Sequence, residues 1–247
     1  MNGTLTVERP RASSWPGAVV PAHPVHLAGV PLGADLSFVL ATLLTAWTFA
    51  AGVLPETDPN RTTLAYWMAG AMGALLMSAS LIIHELGHAL AAHRKGLAVT
   101  RITLSFGGGA SEIVGNLRRP ADTCAIALAG PFASLAVAIL VAITHIVVVE
   151  TSGPGLAASV MALVVVGNIA LTLLNVLPGL PLDGGHVLTA AVWKVTGRAD
   201  VAARFAMMVG RRLGDAAIAL AVVASAFGFL AIACWSALLG FALRTEH

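Results

Sequence analysis

Five long runs of apolar residues, joined by short polar turns, take up most of this sequence. They are Leu36 to Leu54, Leu64 to Ile83, Ala121 to Val149, Leu156 to Val176 and Ala216 to Leu243. A helix that crosses a bilayer needs about 20 mostly apolar residues, and each run has about that length or more. Only 11% of the 247 residues are charged, whereas soluble domains carry about 25%. The sequence therefore predicts an all-α polytopic protein embedded in the lipid bilayer.

The number of spans depends on how the last run is interpreted. Residues 216–243 are long enough for one tilted helix or for two short helices broken near Gly228, so hydropathy leaves five or six spans open. Residues 101–115 place β-branched residues on both sides of a triple glycine, which indicates short strands or a re-entrant loop. Residues 1–29, rich in Pro, Ser, Gly and His, are predicted to be a flexible arm before one membrane domain over residues 30–247.

Basic residues are concentrated on one side of the predicted spans. One cluster lies between residues 94 and 119 and another between residues 194 and 212, whereas the opposite turns, 55–63 and 150–155, hold Arg61 as their single basic residue. The positive-inside rule places both clusters, and with them the N-terminus, in the cytoplasm. The basic residues flank apolar runs instead of clustering with aromatic residues, which excludes a nucleic-acid partner. The excess of Arg over Lys, together with the abundant Ala, points to a bacterial plasma membrane.

The motif HELGH, residues 84–88, follows directly on the second apolar run. Histidines four residues apart project from one face of a helix and can hold one zinc ion, and Glu85 is then placed to take a proton from the metal's water. A charged side chain in a spanning helix costs about 2.5 to 3.5 kcal/mol. We therefore predict that His84 and His88 are zinc ligands, against the alternative of a polar cluster that only ends the span.

A catalytic zinc usually has three protein ligands and one open position, so HELGH requires a third ligand from elsewhere. Apolar surroundings offer four candidates, namely His145, Glu150, Asp183 and His186. The predicted topology places His145 and Glu150 on the opposite side of the membrane from HELGH and leaves Asp183 on the same side. The segment around Asp183, PLDGG, could also be a plain turn.

Taken together, several segments resemble the site-2 proteases, the zinc intramembrane metalloproteases of peptidase family M50. The segments are SASLIIHELGHALAAHRKG at 78–96, ITLSFGG at 102–108, AGPFAS at 129–134 and NVLPGLPLDGG at 175–185, and the resemblance extends over residues 30–243. It implies that His84, His88 and Asp183 bind one zinc ion, that Glu85 is the catalytic base, and that Asn175 stabilises the oxyanion or positions the substrate. It also implies a catalytic core of three helices and about six spans in total.

The resemblance further implies what the protein acts on. We expect an intramembrane protease that cuts a single-pass transmembrane protein, for example an anti-sigma factor, after local unwinding of the substrate helix. Residues 102–112 are a candidate edge strand for the substrate, or else a tight turn. The sequence between Gly96 and Ala121 is too short for a PDZ domain, and no CBS pair follows Leu243, so we expect a minimal form of the family.

Two other functions compete with this interpretation. A membrane-anchored zinc peptidase could cut ordinary peptides at the cytoplasmic face, although the LDGG pattern argues against it. A non-catalytic metal-binding membrane protein would also place His and Asp among apolar residues. Such a protein has no need of a carboxylate between its two histidines, so the presence of Glu85 favours an enzyme.

Overall fold

The computed structural model describes residues 5–7, 18–19, 25–27, 30–105, 108–117 and 119–245. The first helix comprises α1 (Leu36–Trp47), a π-helical segment (Thr48–Val53) and α2 (Leu54–Thr57). The other helices are α3 (Thr63–Arg94), α4 (Pro120–Ser152), α5 (Leu156–Val176), α6 (Asp183–Thr196), α7 (Ala199–Ala226) and α8 (Leu230–Thr245).

Four helices in the described part of the chain are long and apolar enough to cross a membrane. They are Leu36–Thr57, α3, α4 and α5. Their apolar side chains face outwards, as lipid contact requires: Leu64, Leu140 and Leu173 are each at least 65% exposed. The first helix and α3 begin at side-chain caps, because Asp35 accepts a hydrogen bond from the Phe38 amide and Thr62 accepts one from the Ala65 amide. The prediction of a helical membrane protein is thus confirmed.

The last apolar run is broken where the sequence predicted a break. α7 ends at Ala226 and α8 begins at Leu230, with Gly228 between them at a φ of +79°, a left-handed conformation that favours glycine. α8 is a shorter apolar helix that falls below the length of the four spanning helices, and α7 carries exposed arginines in its first half. Four of the described helices therefore have the length and composition of a span, and they do not by themselves confirm the six spans expected from the resemblance.

A sheet lies against the end of α3 that carries Arg94. Its strands are β1 (Leu5–Val7), β2 (Ala18–Val19), β3 (Val25–Leu27), β4 (Val30–Asp35), β5 (Ala98–Ser105) and β6 (Gly108–Leu117). β5 pairs with β6 in antiparallel fashion and with β4 in parallel, so that Leu32 lies opposite Ile102. Ile102 and Leu104 pack with Ala89 of α3, which attaches the sheet to the helix that carries HELGH. We call this the sheet side of the molecule.

The sheet corrects two sequence-based expectations. It is larger than the short β segment predicted, because β4 and three short strands from the N-terminal arm join the β5–β6 hairpin. Of the two strands that residues 102–112 belong to, only β6 has an outer edge that is partly unpaired among the described strands. β5 is paired on both sides, by β4 and β6, and among the described strands β1 covers only Gly115 to Leu117 of the outer edge of β6. The rest of the predicted arm, apart from β1 to β3, lies outside the described residues.

Candidate metal centre and active site

The HELGH turn lies within α3 and is buried on all sides. His84 is 1% exposed, Glu85 2% and His88 7%. The two imidazole rings meet edge to face, with ring centroids 4.9 Å apart. Among the residues that the structure describes, the potential ligand atoms of His84, Glu85 and His88 all lie within 4.8 Å of one another. The spacing in the sequence thus produces the compact group that a metal site requires.

Asp183 meets this group from the first turn of α6. Its Oδ2 atom lies 3.1 Å from His84 Nε2, and its Oδ1 atom lies 3.1 Å from His88 Nε2. The two Nε2 atoms are 3.2 Å apart. The structure therefore brings together the two histidines and the aspartate that the resemblance implied.

Two glycines allow Asp183 to reach α3. A Cβ atom at Gly184 would collide with the Val176 carbonyl at the end of α5, and one at Gly185 would lie 2.6 Å from the Gly179 carbonyl. The preceding loop is also anchored to α7, because the Leu180 amide donates to the Ala206 carbonyl over 3.1 Å. The PLDGG segment is thus more than a plain turn, since its glycines let the start of α6 pack directly against α5.

The outward-facing nitrogens of both imidazoles have partners on α4. His88 Nδ1 lies 2.8 Å from the Ile126 carbonyl, and His84 Nδ1 lies 2.9 Å from the Ser134 hydroxyl. A carbonyl only accepts hydrogen bonds, so His88 carries a proton on Nδ1, and in the neutral ring its Nε2 then presents a lone pair. Sequence analysis missed both partners, because nothing in AGPFAS indicated which residues of α4 face the histidines.

The donor set fits a zinc ion. For zinc–ligand distances of about 2.0 to 2.1 Å, neighbouring ligand atoms are about 3.3 Å apart, close to the 3.2 Å between the two Nε2 atoms. Each Nε2 atom also lies 3.1 Å from one of the two oxygens of Asp183. Two imidazoles and a carboxylate are ligand types that zinc takes in proteins, so the chemistry and the spacing of these three groups fit a zinc ion.

The other predicted site residues lie in different places. Asn175 is 6% exposed near the end of α5, where its side-chain nitrogen donates to the Leu171 carbonyl over 3.0 Å. His186 is exposed on α6. His145 and Glu150 lie in the last third of α4. They are therefore near the opposite end of this helix from Pro120, which is at the sheet side, as the topology predicted.

The depth of the site follows from the length of α3. Residues 63 to 84 of α3 extend about 31 Å at 1.5 Å per residue, which matches the roughly 30 Å hydrocarbon thickness of a bilayer. Asn175 precedes Val176 at the end of α5, and the Val176 carbonyl lies against Gly184, next to Asp183. Measured along α3, the site is therefore about one hydrocarbon thickness from the Thr63 end of the helix.

Comparisons with known proteins agree with this fold and site. A family model described as Peptidase family M50 matches residues 72–152 and 145–214. Rip3 of Mycobacterium tuberculosis, named as a zinc metalloprotease, is 34% identical over 219 residues, which cover 86% of this chain and 56% of the relative. The protein sll0528 of Synechocystis, also named as a zinc metalloprotease, is 34% identical over 221 residues, which cover 88% of this chain and 56% of the relative.

The fold also matches a solved structure. The site-2 protease from Methanocaldococcus jannaschii superimposes with a TM-score of 0.63 at 20% sequence identity, over 90% of this chain and 93% of that chain. The chain spans about half the length of the curated relatives it matches. The family model, the relatives and the fold together show that this chain belongs to peptidase family M50, the site-2 protease family.

Proposed function

We propose that this chain is a zinc metalloprotease that cleaves peptide bonds within or near the transmembrane segments of other proteins. The observation that carries the proposal is the meeting of His84, His88 and Asp183 beside Glu85, in a buried site one membrane thickness from the far end of α3. An intact glutamate within the HELGH turn favours catalysis over metal storage. The names of the curated relatives support the same activity.

In this proposal His84, His88 and Asp183 hold one zinc ion per chain. A bound zinc would lower the pKa of its water ligand towards neutrality. Glu85, adjacent to His84 on the same helical turn, accepts the proton of the attacking water and delivers it to the leaving amine. Two neutral imidazoles and one carboxylate leave the centre with a net positive charge, which stabilises the negative charge that develops on the carbonyl oxygen.

Asn175 is proposed to help stabilise that oxygen. One N–H group of its amide is engaged with the Leu171 carbonyl, and a side-chain amide has a second N–H group with which to donate. The proposal is supported by its place in the chain, because Asn175 precedes Val176, whose carbonyl lies against Gly184, next to Asp183. This role comes from the family resemblance, and the location of Asn175 is compatible with it.

The substrate we propose is a single-pass membrane protein, with an anti-sigma factor as a candidate suggested by the resemblance. A helix hides its peptide bonds within hydrogen-bonded turns, so the substrate must unwind locally before cleavage. The outer edge of β6, residues 108–114, is available in the described sheet for pairing with such an extended segment. We therefore shift the proposed substrate strand from residues 102–112 to β6.

The proposed setting is a bacterial plasma membrane with the sheet side in the cytoplasm, because the basic residues lie there. The N-terminus is then cytoplasmic as well. α7 and α8 form a hairpin, with Arg244 3.6 Å from Asp215, and we propose that they complete a set of six spans. In this arrangement cleavage takes place near the cytoplasmic end of the substrate helix.

The proposal is tested by incubating the purified chain in liposomes with a single-pass transmembrane substrate. Wild type and Glu85→Gln are compared, each with and without a zinc chelator. We expect cleavage by the metal-loaded wild type only. Equal cleavage by Glu85→Gln would refute the assigned mechanism. Wild-type cleavage of a soluble peptide as fast as of the membrane substrate would instead support a peptidase of the cytoplasmic face.

A further inference from the structure

Three successive turns of α4 face the HELGH turn of α3. Ile126, Gly130 and Ser134 are spaced by four residues, as are His84 and His88, so each set lies on one face of its helix. Because the two helices are antiparallel, Ile126 lies against His88 and Ser134 against His84. In the sequence, AGPFAS, which contains Gly130 and Ser134, served only as one of the motifs of the family resemblance.

We infer that this face of α4 takes part in zinc binding. Ser134 is a positioning residue for His84, and Gly130 is the position that leaves room for the metal ion and its ligands. The inference rests on the proposed zinc function and adds two residues that act on the ligands. The inference predicts changes in zinc affinity and in ligand geometry, and both can be measured without a proteolysis assay.

Ser134 is the hydrogen-bond partner of His84 Nδ1, at 2.9 Å. His84 can offer Nε2 to a metal only when its proton is on Nδ1, and the Ser134 hydroxyl then accepts that proton's hydrogen bond. Ser134 is 0% exposed and His84 is 1% exposed, so water does not readily replace the hydroxyl. Removing it leaves the buried Nδ1–H group without a partner, which disfavours the tautomer that offers Nε2 to a metal.

The two histidines differ in the kind of group that their Nδ1 atoms contact. His88 Nδ1 donates to the Ile126 carbonyl, a backbone group that no side-chain substitution removes. His84 depends on a side chain 50 residues away. Ser134 is therefore the partner through which the geometry of the metal centre can be altered by mutation.

Gly130 lies between these two contacts, directly beside the imidazole nitrogens. An ideal Cβ atom there would lie 2.6 Å from His84 Nε2 and closer still to His88 Nε2, and real Cβ atoms essentially never come within 3.0 Å of another heavy atom. α4 approaches α3 equally closely at Gly87, whose own ideal Cβ would lie 2.7 Å from the Ala129 carbonyl, so moving α4 away to admit a side chain would open this packed contact as well. A side chain at position 130 therefore pushes the two Nε2 atoms away from the point where they and Asp183 converge.

The experiment measures zinc affinity in the purified full-length chain by competition with a chelator of known affinity. Ser134→Ala is expected to weaken zinc binding by about 10- to 100-fold, the usual effect of losing such a partner, and Gly130→Ala is expected to weaken it by at least as much. Ser134→Thr keeps the hydroxyl and is expected to bind zinc more tightly than Ser134→Ala. Cobalt substituted for zinc reports the ligand geometry, and its absorption bands are expected to change in Ser134→Ala.

Ser80→Ala is the matched control. Ser80 is a buried serine one turn before His84 on α3, and its hydroxyl donates to the Leu76 carbonyl and accepts from the Asn168 side chain. This variant therefore loses a buried hydroxyl that, like that of Ser134, has a partner on another helix, but that partner is not a metal ligand. We expect wild-type zinc affinity and wild-type cobalt bands from Ser80→Ala. The inference is overturned if Ser134→Ala or Gly130→Ala binds zinc like the wild type, or if Ser80→Ala loses as much affinity as Ser134→Ala. Because no outcome depends on proteolysis, a failed cleavage assay would leave this test intact.

Discussion

The Nε2 atom of His84 lies 3.1 Å from a carboxylate oxygen of Asp183, although 99 residues separate them in the chain. The first residue belongs to a long spanning helix and the second to the start of α6, and the chain between them includes the β5–β6 hairpin and two further spans. A metal ion at this junction would join α3 to α6. The relationship therefore predicts effects on stability as well as on activity.

Zinc is expected to raise the thermal stability of the chain. A ligand that binds only the folded state at a free concentration 1,000 times its Kd adds about 4 kcal/mol to the free energy of unfolding. The unfolding temperature measured with zinc should exceed that measured with a chelator, and the difference should shrink in Asp183→Asn, which keeps the size of the side chain and removes its charge. An unchanged difference in Asp183→Asn would show that Asp183 is not a ligand.

Glu85→Gln is expected to separate metal binding from catalysis. The amide keeps the volume of the buried side chain and loses the ability to accept and return a proton, which is typically worth a factor of about 10² to 10⁴ in rate. Zinc content, measured by elemental analysis, should remain at one ion per chain while cleavage falls by that factor. Loss of zinc from this variant would assign Glu85 to the ligands instead.

Asn175→Ala is expected to lower kcat by about 10²- to 10³-fold, the cost of losing one oxyanion donor, and to leave zinc affinity unchanged. Thr172→Val serves as the control, because Thr172 lies one turn earlier on α5 and donates to the Asn168 carbonyl within the same helix. Steady-state cleavage rates of the two variants provide the comparison. Equal rates for Asn175→Ala and the wild type would remove Asn175 from the mechanism.

The proposed orientation can be measured by labelling single cysteines with a membrane-impermeant reagent. In a background without Cys124 and Cys234, His93→Cys tests the sheet side and Glu56→Cys tests the opposite turn; both native residues are exposed. In spheroplasts, whose plasma membrane is intact, we expect labelling at position 56 and protection at position 93. The reverse pattern would invert the topology.

Local patterns in the sequence were sufficient to predict much of this fold. The bounds of α5 coincide with the apolar run Leu156 to Val176, and the break at Gly228 follows from a glycine in an overlong run. Strands around the triple glycine were also expected, and β5 and β6 form there. In each case the signal lies within a short stretch of residues, because lipid contact and helix-breaking act on neighbours in the chain.

Features that depend on distant pairing were not predictable in the same way. β4 pairs with β5 across about 70 residues of chain, and nothing in the sequence of the arm indicates that partner. The contacts of Ser134 and of the Ile126 carbonyl with the histidines depend on the relative rotation of α3 and α4. Topology set His145 and Glu150 aside and left Asp183 on the side of HELGH, and the family resemblance then assigned it as the third ligand.

The position of the cut in the substrate tests the central claim most directly. Cleavage products of a single-pass substrate in liposomes are identified by mass spectrometry, with Glu85→Gln as the control. If the Thr63 end of α3 lies at the far membrane face, as we propose, the metal centre lies near the cytoplasmic end of the span, and we predict one main cut within the substrate's apolar span, in the part nearest the cytoplasm. A cut confined to the soluble region of the substrate, dependent on Glu85, would contradict intramembrane proteolysis and leave a zinc peptidase of the membrane surface.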